Sequence, residues 1–422
     1  MSTHVAVIGS GMAGLAAARL CRDAGCRVTV FEAQARRGMD AHSISLQGGL
    51  VDVPLRVMSP LAWRHVIALA ERVGVQTYPV NTYTTCSWLP GDTWFRSSRV
   101  PLLNWPVVGS WRYLNRSSWR LLTGFRTLGK AREAMRRDGL GHITLAEFQQ
   151  RYPQDALFWR GLVLPILTTI CTCSEEHLMA WPAGDLLDLL ATIVQGDTLR
   201  RLKGGTPALV DGLARDLEFV SGSPLTEVKA VAGGMQVRNA RGDVARVDTV
   251  IVATQANQIG FLDAADWPRE HQCLSAIRFD HGELVVHRDT RFMPADRRDW
   301  SALHYQMRPD LSEAMFTVWV NPVENSLGND DPPVFQTWNP LFAPDPQKVI
   351  VRVPLARAVV HGGTASALQG LSDLHGEPGR QLFFCGSWAY PGVPLLESAV
   401  RSAIAVVQRL GLQPEPPLSL SA

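Results

Sequence analysis

The sequence is poor in charge, and among its cations it is poorest in lysine. Charged residues make up 19% of the 422 positions, and only four are lysines, Lys130, Lys203, Lys229 and Lys348. Lys+Arg 41 against Asp+Glu 39 leaves a net charge of +2. That near balance gives no basis for a nucleic-acid protein or an acid-rich tail. Paired CxxC motifs are missing. The seven cysteines are odd in number, so neither a zinc site nor a disulfide framework is expected, and reduced thiols in a cytoplasmic protein are. No apolar stretch reaches 18 residues, so no transmembrane helix is expected. The run from Val5 to Leu20 lacks a basic lead, and Gly9, Gly11 and Gly14 interrupt it, which sets it apart from a secretory signal. What is abundant is apolar surface, 46% of residues, enough for large cores. At about 150 residues per domain the chain holds two or three domains.

Residues 4–8 read as a buried strand, 12–24 as a helix of small residues ended by Gly25, and 27–33 as a second strand, together a βαβ unit. Strand candidates follow at 43–47 and 50–53, then a helix over 60–73 that starts with proline and stops at Gly74. Tryptophan, arginine and helix-period leucine predict mostly helices from about 85 to 200. Short strands are predicted at 219–220, 225–231, 235–239 and 244–253, with further pieces at 283–287, 303–307 and 315–320. A strand at 381–385 leads into a helix over about 395–410. The expected fold class is α/β. Segments 1–84, 200–261 and 346–422 would build a Rossmann-type nucleotide domain, and 85–199 with 262–345 an inserted α+β substrate domain.

Gly9-Ser10-Gly11-Met12-Ala13-Gly14 fits GxGxxG, with a strand before it and a helix after it. The first glycine makes the tight turn, the second admits a pyrophosphate, and the third lets helix and strand pack closely. The helix N-terminus offers unpaired amides and a positive dipole to the phosphates. Glu32 ends the second strand, where a carboxylate accepts hydrogen bonds from ribose hydroxyls. This motif alone does not separate NAD from FAD.

Beyond it, Glu32-Ala33, Arg36, Arg37 and Gly38, then Asp52, resemble the flavoprotein family of amine oxidases and carotenoid desaturases. Met39 and Pro54 depart from that pattern, where glycines are usual. A second resembling segment runs from Lys203-Gly204-Gly205 through Leu225 and Val228 to Asp248 and Val250–Thr254, with Ala253 at the strand end. A third, Phe383 to Ala403, is similar to the family's C-terminal flavin motif and contains Gly386, Ser387, Leu396 and Glu397. Over nearly its whole length the chain resembles a bacterial branch of NAD/FAD-binding proteins. The resemblance implies FAD held in a three-segment, glutathione-reductase-like domain. It implies that Arg36 contacts the pyrophosphate, that Leu225 presents its backbone to adenine, and that the helix near Leu395 points its dipole at the flavin. Without the resemblance, Arg36 and Arg37 also read as a solvated pair.

No lysine falls between 230 and 347, where many amine oxidases of the resembling family hold a water over the flavin. Arginine stays protonated and cannot serve as a base. Neither is there a second GxGxxG for NAD(P)H. The Trp-, Leu- and Met-rich substrate region suits a small hydrophobic, lipid-, polyene- or polyketide-like substrate, although such a helical region also reads as plain core. Arg56, Tyr390 and His287 are the candidates for chemistry, with His304 in the same insert, although a lone histidine such as His287 or His304 more often reads as structural. Cys385 reads as a core thiol. Residues 96–137 carry ten basic side chains against Glu133 alone, which is either a solvated face or a peripheral membrane contact. Three functions stay open: hydride removal from an apolar substrate, redox-neutral isomerisation or cyclisation, and cofactor binding without catalysis.

Overall fold

A computed structural model describes residues 2–38, 43–99, 106–108, 111–195, 198–328 and 330–418. At its centre is a five-stranded parallel sheet, in the order Glu218–Ser221, Arg27–Glu32, His4–Ile8, Thr249–Val252, Leu382–Phe384. The strands are near-continuous apolar runs because both faces are covered. Val5, Val7, Val28, Val30 and Ile251 point into one core, and Ala6, Ile8, Phe31, Val250 and Val252 into the other. Five helices position the site: α1 (Met12–Asp23), α2 (Arg64–Arg72), α3 (Arg116–Arg137), α4 (Gly205–Ala214) and α5 (Leu396–Arg409). The small residues Ala13, Ala16 and Ala17 let α1 share the first core with Ala399, Val400 and Ala403 of α5. The second core is closed by Val228, Met235 and Val237 of a three-stranded antiparallel sheet over 225–247.

A mixed eight-stranded sheet stands beside this unit. Its order is Val349–Val359, Arg278–His287, Phe335–Trp338, Ala314–Trp319, Leu303–Met307, Thr84–Trp88, Thr93–Arg99, Pro106–Val108. Helices from 116 onward pack on it through Leu121, Leu128, Phe148, Trp159 and Leu186, which meet Cys86 and Tyr305.

Several sequence-based expectations shift here. The stretch from 85, expected to be mostly helical, opens with three strands, because Thr84–Trp88 pairs in parallel with Leu303–Met307, more than 200 residues away. The strand expected over 244–253 is two strands. They part at Asp248, whose carboxylate accepts the His4 N–H at 2.7 Å. The helix expected from 60 begins at Arg64. Val349–Val359, assigned from sequence to the nucleotide segment starting at 346, pairs with Arg278–His287 and belongs to the eight-stranded sheet. Partners this distant leave no local periodicity that marks them as one sheet. All seven cysteines are free thiols. No described helix is long and apolar enough to cross a membrane.

Candidate active site

Reading outward from the His4–Ile8 strand, the sheet continues to Arg27–Glu32 on one side and to Thr249–Val252 on the other. Its order therefore reverses at that strand, and the crevice beyond the carboxyl ends of the strands there is the usual ligand position in an open α/β sheet. All three sequence motifs end at it. Gly9 follows the first strand, and the Ala253 N–H donates to Ile8 O at 2.8 Å. The Cys385 N–H donates to Val252 O at 2.9 Å. A Cβ on Gly14 would lie 2.0 Å from Gly9 O and 3.1 Å from the Ala253 Cβ, so glycine is needed for α1 to sit this close. A Cβ on Gly11 would meet no protein atom within 4 Å. That glycine faces open space at the N-terminus of α1, where no side chain caps the amides of Met12, Ala13 and Gly14. The opening fits a diphosphate.

Glu32 is organised by a residue that the sequence reading passed over. Its carboxylate accepts the Ser10 N–H (3.0 Å), the Ser10 hydroxyl (2.5 Å) and the Gln34 N–H (2.9 Å). The Ser10 hydroxyl in turn accepts the Gly38 N–H at 2.8 Å. A serine between two motif glycines was the available signal. Ala33 and Arg36 are exposed. Arg37 lies over the Phe219 ring at 4.7 Å. Met39 lies outside the described residues. Leu225 is half-buried at the start of its strand, against the second core.

Between the eight-stranded sheet and the helices from 116 onward lies a cavity of about 1220 Å³. Its walls are mostly apolar, among them Leu284, Leu303, Phe316, Val318 and Trp338, and Leu395 and Leu396 reach it from the start of α5. No side chain caps α5, so its N-terminal amides and dipole are open to a negative group. Among the described lining residues only Arg56 and Arg357 are charged. Lysine, histidine and carboxylate are absent from that lining. Arg56 Nη1 donates to Thr206 Oγ1 at 2.9 Å. Burial lowers its pKa, against the pull of Asp52. Behind it, Asp52 accepts from the Thr206 N–H (2.9 Å) and Arg201 Nη2 (3.4 Å), and Arg201 also binds Glu324.

A model of the flavin containing amine oxidoreductase family matches residues 12–278. The chain belongs to that family. Flavin-containing amine oxidase B of Mus musculus is 37% identical over 186 residues, 42% of this chain and 34% of that protein. L-amino-acid oxidase of Siganus canaliculatus is 32% identical over 120 residues, 26% of this chain and 22% of that protein. The chain thus aligns with about a third or less of the length of these curated relatives. A fatty acid isomerase from P. acnes superposes with a TM-score of 0.69 at 15% identity, over 96% of this chain and 98% of that one. A putrescine oxidase variant does so with 0.66 at 16%, over 97% and 99%. At these identities the likeness is one of fold. FAD is the cofactor of this family. The open Gly11 face, the uncapped α1 and α5 and the convergence of the three segments fit it.

In this flavoprotein several sequence candidates do other work. His287 is buried, with Nε2 on Thr337 Oγ1 (2.9 Å) and Nδ1 accepting the Asp289 N–H (3.2 Å). Burial pushes its pKa down to about 4, so it is a neutral structural group away from the cavity. Tyr390 lies under the Arg401 guanidinium at 4.4 Å and is likewise absent from the cavity lining. Glu397, expected at the cofactor, turns its carboxylate to α2. It takes the N–H groups of His65 (3.1 Å) and Val66 (3.2 Å) and pairs with the His65 ring. Unpaired amides and the positive end of α2 attract it there. Ser387 is half-buried in the turn after Gly386, whose N–H donates to Ser402 Oγ at 2.9 Å. Cys385 is fully buried, and burial raises its thiol to about 12.

Proposed function

We propose that this flavoprotein is an FAD-dependent oxidoreductase that removes hydride from a small hydrophobic substrate, desaturating it. The observation that carries the reading is the lining of the cavity, apolar over most of its wall and without lysine, histidine or carboxylate among the described residues. When bound, FAD would supply the acceptor for both electrons and both hydrogens that desaturation removes, the hydride and the accompanying proton, since no described lining side chain is a base. Gly9, Gly11, Gly14 and the amides of Met12 and Ala13 would hold its diphosphate, Glu32 the ribose, and Arg36 the phosphate edge. Leu225 and Ala253 would flank the adenine side, and Gly386, Ser387 and Leu396 the flavin side. The cavity walls exclude water and align an extended apolar body.

The mouth of the cavity supports a lipid source for such a substrate. Leu114, Trp119, Leu122 and Phe125 line it and are exposed, Trp119 to 64%. Part of the neighbouring basic charge is neutralised within the fold, since Arg120 pairs with Asp155, and Arg132 and Arg136 pair with Asp188. Arg116 and Arg126 are exposed on the same helix. Replacing Trp119 and Leu122 with glutamate should abolish sedimentation with anionic vesicles, and unchanged sedimentation would sink the membrane contact.

Anaerobic mixing of the flavin-loaded protein with lipid and polyene compounds tests the reaction. Bleaching of the yellow flavin band with formation of a new double bond is the expected result. Turnover without bleaching would replace it with the redox-neutral isomerase reading, and a colourless protein that cannot be reconstituted would end both.

A further inference from the structure

An apolar cavity is an expensive place for a guanidinium, and this one holds two. Arg357 projects from the strand Val349–Val359, and its Nε is buried with no acceptor among the described residues. Its own carboxylate neighbour in register is Asp280 on the adjacent strand. That carboxylate is turned away, onto the Ser174 N–H (2.7 Å) and His177 (3.1 Å). Arg56 stands near enough to repel it, and burial together with that repulsion pushes Arg357 down to about 10. Arg357 remains cationic at neutral pH all the same.

The surrounding charge does not cancel. Arg201 pairs with Asp52 and Glu324, Arg56 lies beside Asp52 and Arg201, and the charged neighbour acting on Arg357 is Arg56, so the linked group holds three cations and two anions. Arg201 occupies both carboxylates, and its Nη1 donates to the backbone oxygen of Arg56 at 2.9 Å. Arg56 uses Nη1 on Thr206, a neutral hydroxyl. One positive charge is left over at the cavity wall. A protonated amine entering this cavity would meet two cations and no carboxylate, which opposes the substrate type in the family's name.

We propose that Arg56 and Arg357 together bind the carboxylate headgroup of an amphipathic substrate whose hydrocarbon body lies along the apolar wall formed by Leu284, Leu303, Phe316 and Trp338. This rests on the hydrophobic-substrate reading above and narrows it to monoanionic acids. A planar carboxylate matches a guanidinium fork, and a single negative charge balances the site. Once it is paired there, the chain beyond it is held at a set distance from the headgroup, so the position oxidised is measured from the carboxylate.

The test is equilibrium binding of oleic acid, oleyl alcohol and oleylamine to the purified flavin-loaded protein, followed by calorimetry and by perturbation of the flavin spectrum. The acid should bind roughly ten- to a hundredfold more tightly than the alcohol, the range for hydrogen bonds to a charged group, and the amine most weakly. Arg357→Gln and Arg56→Gln should each erase most of that preference while leaving alcohol binding intact, and Arg357→Lys should restore part of it. Equal affinity for acid and alcohol, or tighter binding of the amine, overturns the headgroup site and leaves the hydrophobic-substrate reading standing. If none of the three binds, that reading falls and the site with it. If the variants keep the preference but lose flavin or shift its spectrum, the arginines serve the cofactor and the proposal is wrong. Should a variant fail to fold, the order of the three ligands on the unmodified protein still decides.

Discussion

Two glycines three residues apart make opposite demands. Gly14 is required by the protein itself, because a Cβ there would lie 2.0 Å from Gly9 O. Gly11 meets no such demand from the protein, since nothing described lies within 4 Å of its Cβ position, and only a bound diphosphate would require glycine there. Gly11→Val should therefore yield a folded protein with unchanged circular dichroism and no flavin. Gly14→Val should fail to fold, or unfold at markedly lower temperature. A Gly11→Val protein that purifies yellow would refute the diphosphate placement.

Buried histidines set the acid response at the same scale. His287 and His304 are both pushed down to about 4 by burial. His304 has Nδ1 on Phe292 O (2.8 Å) and Nε2 on the Ser87 hydroxyl (2.9 Å). Unfolded, each would titrate near 6.5. Below that pH the unfolded chain takes up protons that the folded one refuses, so stability is full above about 6.5 and falls toward pH 4. The slope reaches about 1.4 kcal/mol per pH unit for each histidine. Urea midpoints measured from about pH 7 to 4.5 should show the decline, and a flat profile would contradict neutral burial.

At the scale of elements, α2 shows how a helix boundary is set from outside. Proline at 60 and the periodicity of 60–73 place its start too early. The helix begins at Arg64, where Glu397, more than 300 residues away, supplies the acceptor for the next two amides. Glu397→Gln should lower stability by about 1–3 kcal/mol, the cost of weakening charged hydrogen bonds to buried donors. Flavin content should stay the same. Loss of flavin at unchanged stability would return Glu397 to the cofactor.

For the whole molecule, a buried ion triad ties together segments far apart in the chain, next to the apolar contact of Val51 and Val53 with Leu284 and Val353. Arg201 is 1% exposed and binds both Asp52 and Glu324. Arg201→Met would leave two carboxylates buried without their cation. A loss of about 3–5 kcal/mol is expected from chemical denaturation. A small effect would mean that these segments meet without needing the triad.

The sequence alone determined the parts whose physics is local. GxGxxG between strand and helix, Glu32 at a strand end, the apolar strand before Ala253 and the C-terminal strand–turn–helix are each readable within about 30 residues, because turn geometry and strand periodicity are short-range. Tertiary structure alone decided what depends on residues distant in the chain. It made Thr84–Trp88 and Val349–Val359 strands of one sheet, set Glu397 on α2, and left His287 and Tyr390 off the cavity lining. It also brought Arg56 and Arg357, about 300 positions apart, to one largely apolar cavity, where a lowered dielectric strengthens the pull of their charge on an anion.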